Sequence, residues 1–132
     1  GGYEIRNCIN DIDIKTSTKP KTIRTIRVAD SRNVNVFEGF FDFLSALSYY
    51  QLSEPNHSTI ILNTLSFLPK TIAALSAYQR VNCFFDNDDA GKKAFHKCKE
   101  ANLNVIDRSA IYSDFKDFNE FYCKQTKSVE IS

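Results

Sequence analysis

The sequence contains neither methionine nor tryptophan, and its four cysteines are scattered, with no pair at the C-x-x-C spacing. That spacing is typical of zinc-binding knuckles, so its absence argues against a structural zinc site. The missing methionine suggests a piece of a longer protein, and we expect residues 1–132 to form a single domain excised from a larger chain. Cys83 and Cys98 lie in apolar periodic contexts typical of buried thiols, and we expect a reducing, cytoplasmic compartment.

A long apolar run and an excess of charge are also missing, and we expect no signal peptide. Every apolar run is shorter than the ~18 residues that a membrane span needs, so we expect no contact with a membrane. The 17 basic and 16 acidic side chains give a net charge of +1, and no global field attracts nucleic acid. Binding to nucleic acid would need a local patch, and one weak candidate is formed by Lys19, Lys21, Arg24 and Arg27.

The sequence does contain a regular alternation of strand-like and helix-like segments. Short apolar runs typical of buried strands are VNVFEG, STIILNT, VNCFFDN and LNVID. A helical period of apolar residues lies between them in FFDFLSALSYYQL, PKTIAALSAYQR and DDAGKKAFHKCKEA, and DFNEFYCK predicts a short final helix. We therefore predict an α/β fold with a mainly parallel central sheet, helices on both faces, and N-terminal strands in GYEIRN and KTIRTIRVAD.

Acidic residues follow two of the predicted strands. Glu38 comes after VNVF, and Asp86 and Asp88 come after VNCFF. Parallel strands end at one edge of a sheet, so we expect these carboxylates on the same rim. Carboxylates two residues apart in an extended segment point the same way, and Mg²⁺ prefers such oxygen ligands. Alternatively, Asp88 and Asp89 cap the next helix, which leaves Asp86 unexplained.

Two other classes of protein also contain the D-x-D spacing. An EF-hand loop requires a glutamate at its twelfth position, where this sequence has Lys97, so that class is excluded. Aspartate-nucleophile phosphatases carry the pair after an early strand and prefer Thr or Val at the place of Ala90. They stay a minor alternative.

A phosphate-binding region is predicted beside the acidic residues. Gly39 and Gly91 let the chain turn closely, and Lys92 adds positive charge where a helix N-terminus faces an anion. Asn63 follows another strand on the same rim and could contact a nucleotide. Capping of the next helix explains the Asn63 segment better.

Three motifs, in this order on an alternating α/β pattern, resemble the TOPRIM domain of bacterial-type primases, topoisomerases and some nucleases. The matching segments are EGFFD from Glu38, DNDDAG from Asp86 and KDFNE from Lys116. The first is most similar to primase-like proteins of mobile and conjugative elements. Asn119 departs from the aspartate that replicative primases tend to carry there, which puts a full set of metal ligands in doubt.

The resemblance implies a catalytic domain for nucleotidyl transfer, in which primers are made on single-stranded DNA from nucleoside triphosphates. It implies Mg²⁺ or Mn²⁺ held by Asp86 and Asp88, with Asp42 and Asp117 as less certain ligands. Glu38 would share the metal or act as a general acid or base. A helicase or another replication protein is a further implied partner. A TOPRIM nuclease or topoisomerase fragment, and a module that binds nucleic acid or protein without catalysis, remain open.

Overall fold

The computed structural model describes residues 22–101 and 103–131, with side chains as far as residue 125. Its strands are β1 (Arg24–Ile26), β2 (Asn33–Phe37), β3 (Ser58–Ile61), β4 (Arg80–Phe84) and β5 (Val105–Asp107). Its α-helices are α1 (Phe40–Tyr49), α2 (Leu68–Leu75), α3 (Asp89–Glu100) and α4 (Phe118–Ile131). The strand predicted in GYEIRN, together with Lys19 and Lys21, lies outside the described residues.

The strands form one sheet in the order β1-β3-β2-β4-β5. Neighbouring strands from β3 to β5 pair in parallel, and β1 joins the edge of β3 in the antiparallel sense. Helical segments connect the parallel strands, as crossover connections require. The predicted α/β fold with a mainly parallel sheet is confirmed.

Helices cover both faces of the sheet, and each face has its own apolar core. Val36 and Cys83 face α2 and α3, whereas their chain neighbours Phe37 and Phe84 face α1 and α4. This alternation follows from the pleat of a strand, which directs successive side chains to opposite faces. The Phe37 and Phe84 rings stack with centroids 4.5 Å apart, across the two central strands.

Some elements end earlier than their sequence pattern predicts. The helix predicted to reach Arg80 ends at Leu75, where the Ser76 hydroxyl donates to the carbonyl of Ala73 at 2.6 Å. Serine competes in this way with the helical hydrogen bonds of the backbone. The strand predicted through STIILNT ends at Ile61, and the chain turns at Asn63, whose φ is 65°. No helix in the described part of the chain is long and apolar enough to cross a membrane.

Candidate metal centre

The carboxyl ends of β2 and β4 place Glu38 and Asp86 side by side. Phe37 and Phe84 are paired in the sheet, and the Glu38 N–H donates to the carbonyl of Phe84 at 3.4 Å. The Glu38 side chain then turns across the rim, and its Oε1 accepts a hydrogen bond from the Asp86 N–H at 3.0 Å. Adjacent parallel strands thus bring these two predicted residues together, as the topology requires.

Asp42 reaches the same rim from the first turn of α1. Gly39 precedes this helix, and a Cβ added there would lie 3.2 Å from Oδ2 of Asp42. The carboxylate is buried, with 7% of the residue exposed. Gly39 therefore leaves the space that the Asp42 carboxylate occupies, and its predicted contact with a substrate stays a prediction.

Asp117 completes a cluster of three carboxylates at the N-terminus of α4. Oxygen atoms of Asp42, Asp86 and Asp117 all lie within 4.8 Å of one another. The backbone N–H of Asn119 donates to Asp42 Oδ1 at 3.1 Å, and that of Glu120 donates to Asp117 Oδ1 at 2.8 Å. The partial positive charge of the helix N-terminus stabilises both carboxylates, while it leaves Asp86 to depend on other neighbours.

Burial is the main cause that raises the pKa of the carboxyl groups at this rim. The pKa of Asp86 is raised to about 7, first by burial and then by the negative charges of Glu38 and Asp117. Burial also raises the pKa of Asp42 well above its usual value, with Asp117 as the next cause. The pKa values of Glu38 and Asp117 are raised by burial as well. Without a cation, the cluster therefore holds protons that ordinary carboxyl groups lose.

Asp88, the other predicted ligand, caps a helix. Its Oδ1 accepts a hydrogen bond from the Gly91 N–H at 2.8 Å, which makes it the N-cap of α3. The three-carboxylate cluster does not include it. Its negative charge still acts on the rim, because it raises the pKa of both Glu38 and Asp86.

Gly91 allows α3 to begin directly against the backbone of Asp86. A Cβ at this position would lie 2.0 Å from the Asp86 carbonyl oxygen and 3.0 Å from its nitrogen. Any side chain would therefore push the helix away from the end of β4. Gly91 thus packs against the main chain of Asp86, and its predicted approach to a phosphate stays a prediction.

Asn87 was not predicted as a site residue, although it lies between the two aspartates of the D-x-D motif. Its side-chain amide donates to the carbonyls of Ser109, Tyr112 and Phe115, at 3.4, 2.9 and 3.0 Å. Its backbone N–H donates to the carbonyl of Lys116 at 2.6 Å. Asn87 thus ties the segment before Asp117 to the end of β4. The only signal in the sequence was its position inside the motif.

Lys116 is a second residue that the site prediction did not include. The side chain is exposed, and its positive charge lowers the pKa values of Glu38, Asp86 and Asp117. A single lysine thus offsets part of the repulsion among several carboxylates. Its position next to Asp117 in the KDFNE segment was the available signal.

Four of the remaining predicted site residues, Gly91, Lys92, Asn63 and Arg24, lie around this rim, whereas Arg27 follows the opposite end of β1. Gly91 and Lys92 line a cavity of 320 Å³ that also contacts Asp86. The Nδ2 group of Asn63 donates a hydrogen bond to the carbonyl of Thr22 at 2.6 Å, so this side chain holds the segment just before β1. Arg24 pairs with Ile61 at the carboxyl end of β3, and its guanidinium lies 5.4 Å from the centre of the Phe40 ring.

The donor set fits a hard divalent cation. Three carboxylates converge, and their pKa values are raised by burial first and by neighbouring negative charges second, both of which a cation between them would offset. Asn119 does not join them, because its side-chain amide donates to Ser45 Oγ at 2.8 Å in the contact between α1 and α4. The position that departs from the replicative primases is therefore part of the core.

Residues 35–122 match the model of the Toprim-like family, which is more than half of the chain. The chain therefore belongs to the Toprim-like family, and the predicted TOPRIM fold is confirmed. No curated protein sequence matches the chain. The bacterial or mobile-element origin suggested by the first motif stays a prediction.

Two solved structures from bacteriophage T7 are similar to the chain. The primase fragment of the T7 primase-helicase protein aligns with a TM-score of 0.58 and 24% identity, over 72% of this chain and 40% of that one. The second contains the T7 lagging-strand DNA polymerase interacting with primase domains bound to an RNA/DNA hybrid and dTTP. It aligns with a TM-score of 0.46 and 25% identity, over 58% of this chain and 41% of that one. The chain thus spans about two fifths of either T7 chain.

Proposed function

We propose that this chain is the catalytic domain of a DNA primase-like protein, which makes primers by Mg²⁺-dependent nucleotidyl transfer on single-stranded DNA. The observation that carries this proposal is the cluster of Asp42, Asp86 and Asp117 at the carboxyl edge of a Toprim-like sheet. Ligands of open parallel sheets bind beyond this edge. Nucleoside triphosphates and a single-stranded template are the proposed partners, with a helicase or another replication protein as a further one.

The three clustered carboxylates are the proposed ligands of Mg²⁺, for which Mn²⁺ could substitute. When bound, the ion would polarise a phosphate and stabilise the negative charge that develops in phosphoryl transfer. Asp42 and Asp117 are held by N–H groups of α4, so their oxygens are fixed before an ion arrives. For Asp88 we propose a different role from the predicted one, since it holds the start of α3 against the site.

Glu38 is the proposed general base or acid. Burial raises its pKa, which makes the carboxylate a better proton acceptor than an exposed glutamate. The Asp86 N–H fixes one of its oxygens at 3.0 Å, and the Glu38 carboxyl also hydrogen-bonds to the Asp86 side chain. In primer synthesis, the proton to be removed is that of the attacking 3′-hydroxyl.

The phosphates of the incoming nucleotide are proposed to lie beside Asp86. The 320 Å³ cavity there is lined by Lys92 and His96 of α3 and by Asn87. Lys92 is exposed and supplies the positive charge that a triphosphate needs. Arg24 and Arg27 are the described members of the proposed nucleic-acid patch. In the strand register, Arg24 lies at the same edge of the sheet as the carboxylates, whereas Arg27 follows the other end of β1.

The test uses the 132-residue chain with circular single-stranded DNA, labelled nucleoside triphosphates and Mg²⁺ or Mn²⁺. We expect short oligonucleotide products that disappear with Asp86→Asn and persist with Asp89→Asn. The second variant removes the same charge from an exposed position in the first turn of α3, outside the cluster.

Parallel reactions separate the alternatives. Shortening of end-labelled DNA without new synthesis would identify a nuclease, and relaxation of supercoiled DNA a topoisomerase fragment. Metal binding without any of the three activities would favour a non-catalytic module. Products that are equally abundant with Asp86→Asn and the wild type would remove the carboxylate cluster from the mechanism.

A further inference from the structure

A second cavity lies on the face of the sheet that α1 covers, away from the carboxylate cluster. Its volume is 470 Å³, within the range of about 300–1,000 Å³ typical of small-molecule sites. The inner side of α1 contributes Phe43, Leu47 and Tyr50, and Phe37 and Phe84 close the end nearest the acidic rim. The cavity therefore opens towards the amino half of the strands, whereas the carboxylates lie beyond their carboxyl ends.

The floor of this cavity is a row of polar side chains on the three central strands. Asn35 of β2 pairs in register with Thr59 of β3 and Asn82 of β4. Thr59 and Asn82 are buried, with 0% and 6% exposure. Central strands of a parallel sheet are normally apolar on both faces, and two residues further along these strands the same face is apolar. Packing in the apolar core therefore does not explain why polar side chains lie at this level of the strands.

Hydrogen bonds within the row leave donors directed to the cavity. Asn82 Nδ2 donates to Asn35 Oδ1 at 2.9 Å, and Arg108 Nε donates to Asn82 Oδ1 at 3.1 Å. These bonds use both amide oxygens as acceptors. The Nδ2 group of Asn35 and the terminal nitrogens of Arg108 remain as donors among residues that line the cavity.

Arg108 gives the cavity its positive charge. The residue is half-buried, and within residues 22–101 and 103–131 no carboxylate forms an ion pair with it. Its guanidinium lies near enough to Tyr50 to oppose the effect of burial, which raises the pKa of that phenol. A half-buried guanidinium with free donors matches the flat, two-oxygen edge of a carboxylate or phosphate.

We propose that this cavity binds a small organic anion, whose carboxylate or phosphate contacts Arg108 and Asn35 and whose flat apolar body packs against Phe43 and Leu47. The site is independent of the metal centre and goes beyond the proposed nucleotidyl transfer. The body of the ligand would bury apolar surface against these side chains, so it contributes affinity along with the anion.

The probes are benzoate and phenyl phosphate, with benzamide as the neutral analogue of benzoate. Each is added to the ¹⁵N-labelled 132-residue chain in EDTA, so that no metal-dependent site contributes. We expect both anions, or one of them, to shift the amide signals of Asn35, Asn82 and Arg108, and benzamide to bind more weakly. Whichever anion binds identifies the head group.

Two variants test the contacts. Arg108→Gln should weaken anion binding by about tenfold, because it removes a charged hydrogen bond. Arg32→Gln is the matched control, since this exposed arginine lies just before β2 and does not line the cavity. Asn35→Asp keeps the size of the side chain and the oxygen that accepts from Asn82, and it should also weaken binding of the anions. This variant tests the proposal even if Arg108→Gln fails to fold. Equal binding of benzamide and benzoate, or unchanged anion affinity in these variants, would overturn the proposal.

Discussion

Asp86 lacks the hydrogen bonds from α4 that Asp42 and Asp117 accept, and its pKa is raised at the rim. It is half-buried, and three acidic neighbours contribute to the raised pKa. A proton or a cation relieves this repulsion. The metal-free protein and the metal-bound protein should therefore respond to pH in different ways.

The first prediction concerns the metal-free stability of Asp86→Asn. Between the usual pKa of 3.8 and about 7, the folded protein keeps a proton on Asp86 that the unfolded chain has lost. More protons are bound in the folded state, so the free energy of unfolding decreases as the pH rises through this window. Asp86→Asn should remove this decrease and stabilise the metal-free protein at pH 8 by about 1 kcal/mol, a value reduced for partial exposure.

Urea unfolding in EDTA at pH 5 and pH 8 measures this effect. Asp89→Asn is the control, because it removes the same charge from an exposed helix start. A variant Asp86→Asn that is less stable than the wild type at pH 8 would show that the carboxylate is not under strain.

The second prediction concerns Gly91→Ala. Alanine favours a helix over glycine by about 1 kcal/mol, but here its Cβ would lie 2.0 Å from the Asp86 carbonyl oxygen. The clash should dominate, and we expect a net loss of about 2 kcal/mol in the free energy of unfolding. Gly39→Ala is the comparison, since its Cβ would meet only a side-chain oxygen at 3.2 Å. Equal stability of Gly91→Ala and the wild type would contradict the close approach of α3 to β4.

The sequence predicted the acidic residues at the strand ends, but it could not assign a task to each of them. Parallel strands were enough to place Glu38 and Asp86 together. Asp42 and Asp117 were only implied by the resemblance, because their convergence depends on how α1 packs against α4. The sequence allowed Asp88 to be a ligand or a cap, and the geometry makes it a cap.

At the scale of elements, the position of the segment between β5 and α4 depends largely on the side chain of Asn87. The amide of Asn87 donates to three carbonyls of this segment, and the Tyr112 hydroxyl donates to the carbonyl of Phe85 at 2.8 Å. Together they connect the segment before Asp117 to the end of β4. The position of one clustered carboxylate, that of Asp117, is therefore set by contacts made outside the cluster.

The third prediction follows for Asn87→Ala. Loss of the amide leaves buried carbonyls without their donor, which should cost about 1–3 kcal/mol in the free energy of unfolding. Because the segment positions Asp117, affinity for Mg²⁺ should also fall, and amide signals of residues 109–117 should shift. Asn104→Ala is the matched control, since that exposed amide makes a single hydrogen bond to the carbonyl of Gln79. Wild-type metal affinity in Asn87→Ala would separate the segment from the site.

Element types were predictable, whereas several element ends were not. Apolar period alone located α1, α3 and the central strands. The early end of α2 depends on the hydroxyl of Ser76, which competes for a backbone carbonyl. Because a serine can also lie inside a helix, the sequence did not predict this end. The side-chain bonds of Asn87 reach residues 22–28 positions away, so no local pattern contains them.

At the scale of the molecule, the sheet order brings the site together. Because β2 lies between β3 and β4, the carboxyl ends of β2 and β4, which lead to Glu38 and Asp86, are adjacent. Sequence alternation predicted parallel strands but not their order, since the order depends on long-range pairing. Family membership covers residues 35–122, which includes all three clustered carboxylates.

The fourth prediction is that Mg²⁺ stabilises the whole fold at pH 8. A ligand that binds only the folded state at 100 times its dissociation constant adds about 2.7 kcal/mol, and thermal unfolding should shift upwards accordingly. Asp42→Asn and Asp117→Asn should reduce this shift, whereas Asp114→Asn, at an exposed position, should not. The same Mg²⁺-induced shift in all three variants would indicate non-specific binding.

The measurement that tests the central claim most directly is a Mn²⁺ titration of the ¹⁵N-labelled chain, followed by paramagnetic broadening of amide signals. We predict that broadening begins around Gly39, Asp86 and Asp117, that Asp86→Asn abolishes it, and that Asp89→Asn leaves it unchanged. Broadening that is spread evenly over exposed acidic residues, or that survives in Asp86→Asn, would contradict a metal centre formed by Asp42, Asp86 and Asp117.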